Sequence, residues 1–235
     1  MTPDNKRINS YLRDLGYGTR RSVEALIEKG FVYINGKKAT LGDKVGTKDK
    51  VEIKTGKKDV TEDYIYLAYN KPKGVSTLPD VGQKSIKDMI GKYSDTVFPI
   101  GRLDKDSSGL IILTNDGRIT DKLLNPKFEH EKEYHVRVNK KINNTLLKSL
   151  KEGVRVGEFR TKPAKVRKIN ENTFDIILTE GQNRQIRRMC AAFGYDVKSL
   201  ERFRIENISL SGLRSNQIRI IRDRELKNFL KVLGL

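Results

Sequence analysis

The 235-residue chain carries 48 Lys and Arg against 30 Asp and Glu, and 48 − 30 leaves a net charge of +18, well beyond the ~2–8 of an ordinary soluble surface; this points to a polyanionic partner. One cysteine, Cys190, excludes an internal disulfide and an all-cysteine metal site, and with two histidines, His130 and His135, no metal centre is expected. The opening residues MTPDNKR lack the apolar core of a signal peptide, and no apolar run approaches the ~20 residues that span a membrane, so a cytoplasmic location is expected.

In chain order, Ile8, Tyr11, Leu12 and Leu15 are spaced for one face of a helix that Gly16 and Gly18 end. Thr19 is placed to cap a second helix, with Val23, Leu26 and Ile27 as its buried stripe and Gly30 as its stop. Phe31–Ile34 reads as a strand, Asn35-Gly36 as a tight turn and Val51–Ile53 as a returning strand. Arg7, Arg20, Arg21, Lys37 and Lys38 would give this block a basic platform. The run Arg7–Leu12, with Gly16, Thr19–Arg21, Leu26-Ile27, Gly30, Val32, Asn35-Gly36, Val45 and Asp49, resembles the small RNA-binding domain of the ribosomal protein S-four type. Thr19 stands where serine is usual and keeps the capping hydroxyl; Lys48 stands where glycine is usual. The polar run 55–63 reads as a linker, which sets the expected domains at 1–58 and 64–235.

Beyond the linker, Tyr64–Tyr69 and Leu110–Leu113 read as buried strands, and Tyr134, Val136 and Val138 as the inward face of a half-exposed one. Asn144 is expected to cap a helix carrying Leu146, Leu147 and Leu150, and Phe174–Leu178 is a strand feeding a turn at Gly181. Ile186, Met189, Cys190 and Phe193 share one face of the next helix, with Cys190 a small core residue. Val197–Leu210 is extended, and a last helix after Asp223 buries Leu226, Phe229, Leu230 and Leu233. The pattern predicts an α+β protein: a small N-terminal α/β domain, then a mixed, mainly antiparallel sheet flanked by helices.

The segment Phe98–Gly109 is rich in Gly, Asp and Ser, and an ordinary turn explains Asp106, Ser107 and Ser108. Asp104 differs, since Arg102-Leu103-Asp104 between apolar segments puts an acid where burial is expected. A buried carboxylate requires a cation.

Gly101–Leu110 resembles the catalytic loop of bacterial ribosomal-RNA pseudouridine synthases, in the branch related to the small-subunit enzyme. Asn70–Gly74 resembles that family's Lys-Pro-x-Gly motif, Glu131–Tyr134 its Lys-x-Tyr motif, and Gly181–Met189 its basic C-terminal motif, all in the family's order. Phe98–Ser107, His130–Tyr134 and Phe193–Lys198 are most similar to members acting on 23S ribosomal RNA.

The resemblance implies isomerisation of a specific uridine with base flipping, no cofactor, ribosomal RNA (a 23S stem-loop) as partner, and a monomer. It assigns Asp104 as nucleophile, Arg187 as the cation that keeps it charged, and Tyr134 as the plane for the flipped base or a proton donor. Ile186 would pack under the uracil. Arg102 would contact RNA or fill the flipped base's space, Arg184 and Arg188 would meet phosphates, and Lys71 is either structural or, with the other cations, phosphate-directed. Read without the family, Tyr134 is more readily a core residue, Ile186 as readily one, and the arginines generic phosphate binders. Two other functions were open to such a sequence: a non-catalytic RNA-binding or ribosome-assembly factor, and an RNA methyltransferase. The second lacks the glycine-rich turn after a strand that its methyl donor needs.

Overall fold

The computed structural model describes residues 6–14, 20–46, 49–53, 64–79 and 81–235. It divides into two compact units, Met1–Ile65 with Asn115–Thr120, and Tyr66–Thr114 with Asp121–Leu235. No helix among the described residues is long and apolar enough to cross a membrane.

In the N-terminal unit, β1 (Lys6–Arg7) leads into α1 (Ile8–Asp14), and α2 (Arg20–Glu28) is followed by β2 (Val32–Ile34), β3 (Lys37–Lys38), β4 (Lys44–Val45) and β5 (Val51–Ile53). Ile8, Leu12, Val23, Ile27, Val32 and Val45 form one core, as the helical spacing predicted for the first four. β2 pairs with β3 on one side and β5 on the other. Asn35 and Gly36 take φ of 49° and 79°, the left-handed pair that a two-residue hairpin turn demands. Asn35 also fastens the far strand: its Nδ2 donates to Asp49 Oδ1 at 2.8 Å and its Oδ1 accepts from Lys50 N at 2.9 Å. Gly16, Gly18, Thr19, Lys48 and the expected linker 55–63 lie outside the described residues.

The larger unit is built on β6 (Tyr66–Lys71), β7 (Phe98–Ile100), β8 (Ser108–Thr114), α3 (Ile119–Leu124), β9 (Lys132–Val138), α4 (Asn144–Glu152), β10 (Arg155–Val156), β11 (Phe159–Arg160), β12 (Lys165–Lys168), β13 (Thr173–Leu178), α5 (Gln185–Ala191), β14 (Val197–Ile205), β15 (Ile208–Ser209), β16 (Ile218–Ile220) and α6 (Asp223–Val232). The sheet runs β12-β13-β9-β14-β8-β6-β16, with β7 added on β8 and β15 on β14. All these pairs are antiparallel except β14 with β8. The expected α+β architecture, with its mixed and mainly antiparallel sheet, is therefore present. Leu110, Ile111, Ile112 and Leu113 are fully buried, each stabilising the fold by about 1.5–3 kcal/mol. β9 alternates as expected, with Tyr134, Val136 and Val138 buried.

Some local expectations shift. β6 runs on through Asn70 and Lys71, both buried, where the sequence suggested a stop. The cap of α4 is Asn143, not Asn144: it is extended (φ −94°, ψ 164°) and its side chain accepts from Leu146 N. β14 and β15 form a hairpin within the stretch read as one extended segment, turning at Glu206 (φ 50°).

The parallel pair has a steric requirement. Gly109 lies opposite Arg202, at φ 109°, and a Cβ there would stand 2.3 Å from the Arg202 carbonyl oxygen. Gly109→Ala is expected to cost about 3 kcal/mol or more in urea unfolding, combining left-handed strain with overpacking against backbone. A cost below ~1 kcal/mol would mean that β8 and β14 can separate freely.

Candidate active site

Residues 101–107 link β7 to β8 and turn sharply around Asp104. Gly101 opens the loop at φ 76°, and Ser107 N closes a turn on Asp104 O at 3.0 Å. The loop is held from below by the segment after β6. Thr77 Oγ1 donates to Leu103 O at 2.7 Å and accepts from Leu103 N at 3.0 Å, while Gly74 N donates to Lys105 O at 2.7 Å. Both backbone groups of Leu103 are thus fixed one residue before Asp104. Asp104 itself faces a cleft of about 1030 Å³, whose other walls include Tyr134 and Ile186. That volume sits at the upper end for small-molecule sites.

Asp104 keeps 28% of its side chain exposed. The expected burial is thus corrected: Leu103 and Ser107 are the buried residues of the loop, and Asp104 opens on the cleft. Two guanidiniums approach it. Arg184 Nη1 is 3.7 Å and Arg187 Nε 4.0 Å from Asp104 Oδ2. Arg187 Nε is buried without a hydrogen-bond partner among the described residues, so a small movement of either side chain would complete the pair; active-site hydrogen bonds commonly tighten only when substrate binds. The rest of Arg187 is committed elsewhere. Its Nη1 donates to Val197 O (3.0 Å) and its Nη2 to Asp106 O (3.1 Å) and Ser107 Oγ (3.2 Å).

Asp106, taken from sequence as a turn residue, is the more tightly paired acid. Arg184 grips it with two hydrogen bonds, 3.1 and 3.2 Å, and Arg187 Nη2 stands 3.4 Å away. Burial pushes the Asp106 carboxyl up, but the Arg184 hydrogen bond and the Arg187 and Arg184 charges outweigh it and hold it below the usual carboxylate range. Arg184, assigned to phosphates from sequence, is therefore engaged with the 101–107 loop. The signal was present as two acids two residues apart and two arginines three apart.

The floor of the cleft is the sheet. Tyr134 and Arg202 are direct partners across β9 and β14, and a register shift between Arg202 and Arg204 re-aims the strand there. Lys132, Tyr134, Leu200 and Arg202 all line the cleft. Ile186 enters from the first turn of α5, which is anchored by buried Gln185: its Nε2 donates to Glu180 Oε1 at 2.6 Å and its Oε1 accepts from Gln182 N at 2.9 Å. Thr77 and Arg202 were not singled out from sequence, and Lys132 and Gln185 entered only as members of motifs, because their burial depends on strands and loops distant along the chain.

Lys71 is a correction. Expected among the RNA-contacting cations, it is fully buried, and its Nζ donates to Pro72 O (2.9 Å) and Val75 O (2.7 Å), shaping the turn beneath the loop. Lys73 is the exposed lysine of that segment and lines the cleft. Burial pushes Lys71 down to about 8, against the pull of Asp104 and Asp106 and with the help of Arg202. Between pH 8 and 10.5 the unfolded chain holds a proton that the native Lys71 has shed, so this group adds stability as pH rises through that window. Wild type should gain on Lys71→Met by on the order of 2–3 kcal/mol from pH 7 to 10.5 in denaturant titrations. A flat or falling difference would contradict the burial of its charge.

Of the remaining expected contacts, Arg102 is exposed on the cleft wall. Arg188 turns toward the β10–β11 hairpin, with Nη2 3.4 Å from Val156 O and its guanidinium 5.0 Å from the Phe159 ring centroid. In the N-terminal unit Arg7, Lys37 and Lys38 are exposed; the side chains of Arg20 and Arg21, which open α2, lie outside the described residues. Cys190 is buried and its thiol is pushed up to about 12 by burial, consistent with a core role.

A carboxylate facing a cleft, cations within 4 Å of it and an aromatic ring lining the same cleft form a site suited to nucleophilic or proton-abstracting chemistry on a flat ring. Comparison with known proteins gives the same direction. The RNA pseudouridylate synthase family model matches residues 65–192 and the S4 domain model residues 6–51. A dual-specificity RNA pseudouridine synthase, RluF, of Escherichia coli strain K12 is 44% identical over 99% of this chain and 81% of its own length. Ribosomal large subunit pseudouridine synthase B of Bacillus subtilis strain 168 is 36% identical over 94% of each chain. In fold, a pseudouridylate synthase crystal structure superposes with a TM-score of 0.71 at 24% identity, covering 97% of this chain and 99% of that one.

Proposed function

This chain belongs to the RNA pseudouridylate synthase family, and we propose that it isomerises a specific uridine in ribosomal RNA, within a stem-loop of the 23S molecule, with Asp104 as nucleophile. The observation that carries the reading is the meeting, in one cleft, of Asp104, Tyr134, Ile186 and Arg184 from segments far apart in sequence, with Arg187 at 4.0 Å from the carboxylate.

In this reading the target base leaves its stack and lies on Tyr134, packed by Ile186, while Arg102 fills the gap left in the RNA. Arg187 and Arg184 keep Asp104 anionic. The carboxylate then attacks the sugar or the base, or takes a ribose proton to give a glycal. Residues 1–58 act as a separate RNA anchor through Arg7, Arg20, Arg21, Lys37 and Lys38, with Arg188 available to phosphates; residues 64–235 perform the chemistry. The enzyme works as a monomer in the cytoplasm, and the 23S substrate is supported by the motifs around Asp104 and Tyr134 and by the Bacillus subtilis relative, which is named for the large ribosomal subunit. A non-catalytic ribosome-assembly role would leave the charged cleft without a task. The test is tritium release from ribosomal RNA labelled at uridine C5, where the hydrogen is lost as carbon replaces nitrogen at the ribose. Release by the purified chain supports the proposal; none from any ribosomal RNA rejects it.

A further inference from the structure

Arg202 stands directly opposite Tyr134 across β9 and β14, and beside Gly109 of β8. Residues opposite one another in an antiparallel pair project from the same face, and both Arg202 and Tyr134 line the cleft. The side chain is 4% exposed and lines the cleft. Its Nε donates to Leu110 O at 2.7 Å. Its Nη2 is buried with no hydrogen-bond partner among the described residues, and none of the ion pairs within 4.0 Å among those residues involves it. Leaving a charged donor buried and unmet is costly, so the group calls for a partner, and on the floor of a cleft that partner can be a ligand. Lys132, two residues before Tyr134, adds a second cation to the floor, its Nζ spent on His130 O at 3.0 Å.

We propose that Arg202 is a catalytic residue, donating from Nη2 to a carbonyl oxygen of the flipped uracil and stabilising the negative charge the ring gains during isomerisation. The inference rests on the synthase reading. When the C1′–N1 bond breaks, its electron pair leaves on the pyrimidine and spreads over N1, O2 and O4. After rotation C5 bonds to C1′, the C5 proton is lost and N1 gains one, so the composition is unchanged. If Asp104 adds to the base first, the electrons displaced also reach a carbonyl oxygen. Either way charge develops where a buried, fixed donor acts most strongly. The buried Nη2 amino group, a fixed donor to one atom, suits a carbonyl oxygen better than a phosphate, which the exposed Lys73 and Arg102 can meet.

The experiment uses the full-length chain in single-turnover reactions on a ribosomal RNA transcript made with uridine, 2-thiouridine or 4-thiouridine. Sulfur accepts hydrogen bonds poorly, so wild type should slow on one thio transcript. Arg202→Gln should react about 100-fold more slowly on the uridine transcript, bind that RNA as tightly as wild type, and no longer discriminate against the same sulfur. If Arg202→Gln fails to fold by thermal unfolding, Arg202→Met serves: it keeps an unbranched stem and removes every donor, so discrimination is again lost. A wild type indifferent to both sulfurs, or a variant that keeps the wild-type rate or discrimination, overturns the proposal. No isomerisation of the uridine transcript by wild type would instead reject the underlying function.

Discussion

Asp104→Asn is expected to lower single-turnover isomerisation by at least ~10⁴-fold while leaving RNA affinity and folding stability close to wild type. The amide cannot supply the anion that the reaction needs, and removal of a nucleophile is among the largest single losses an enzyme suffers. The fold should tolerate the change. The Asp104 side chain accepts no hydrogen bond among the described residues, and its ion contacts are long, at 3.7 and 4.0 Å. The loop is held instead by backbone: Ser107 N on Asp104 O, Gly74 N on Lys105 O, and Thr77 on both polar groups of Leu103. Quantifying pseudouridine after a single turnover, alongside filter binding and a urea titration, separates the three effects. Substantial activity in the variant would remove Asp104 from the chemistry.

Arg187→Met should cost about 10²–10³-fold in rate and also about 2–4 kcal/mol in stability. Arg187 is mostly buried and joins three parts of the unit: it donates to Val197 O at the start of β14, and to Asp106 O and Ser107 Oγ in the catalytic loop. Losing it leaves two part-buried carbonyls without their donor and frees the loop from α5, besides taking a cation from Asp104. Arg184 is the control. It is 46% exposed, so although it grips Asp106 with two hydrogen bonds, solvent screens that pair and Arg184→Met should cost under ~1 kcal/mol in stability. Equal stability losses for the two variants would contradict the division of labour between them.

The sequence was most legible where local pattern and burial agree. The alternation at Tyr134, Val136 and Val138, the apolar run Leu110–Leu113 and the Asn35-Gly36 turn each report a local geometry that the larger fold does not override. The cleft residues Asp104, Tyr134 and Ile186 were within reach through the motifs that resemble the synthase family; spacing alone reads Tyr134 and Ile186 as core. What stayed hidden depends on distant partners. Arg202 sits in Leu-Glu-Arg-Phe-Arg, which reads as a strand with charged residues turned to solvent, and it is buried only because β8 lies alongside β14. Lys71 read as a surface cation because β6 was expected to end before it; the extra residues of strand carry it inside. Asp106 passed as a turn former because nothing in its neighbourhood reveals the arginines of a segment some 80 residues later, 78 for Arg184. Thr77 carries no motif at all, and its value lies in the 26 residues that separate it from Leu103.

The most direct test of the central claim is site-resolved pseudouridine mapping of ribosomal RNA from cells lacking the gene, complemented with wild type or with Asp104→Asn. One pseudouridine in the 23S molecule should vanish on deletion, return with wild type and stay absent with the variant. An unchanged pseudouridine pattern on deletion, or restoration by Asp104→Asn, would contradict the account.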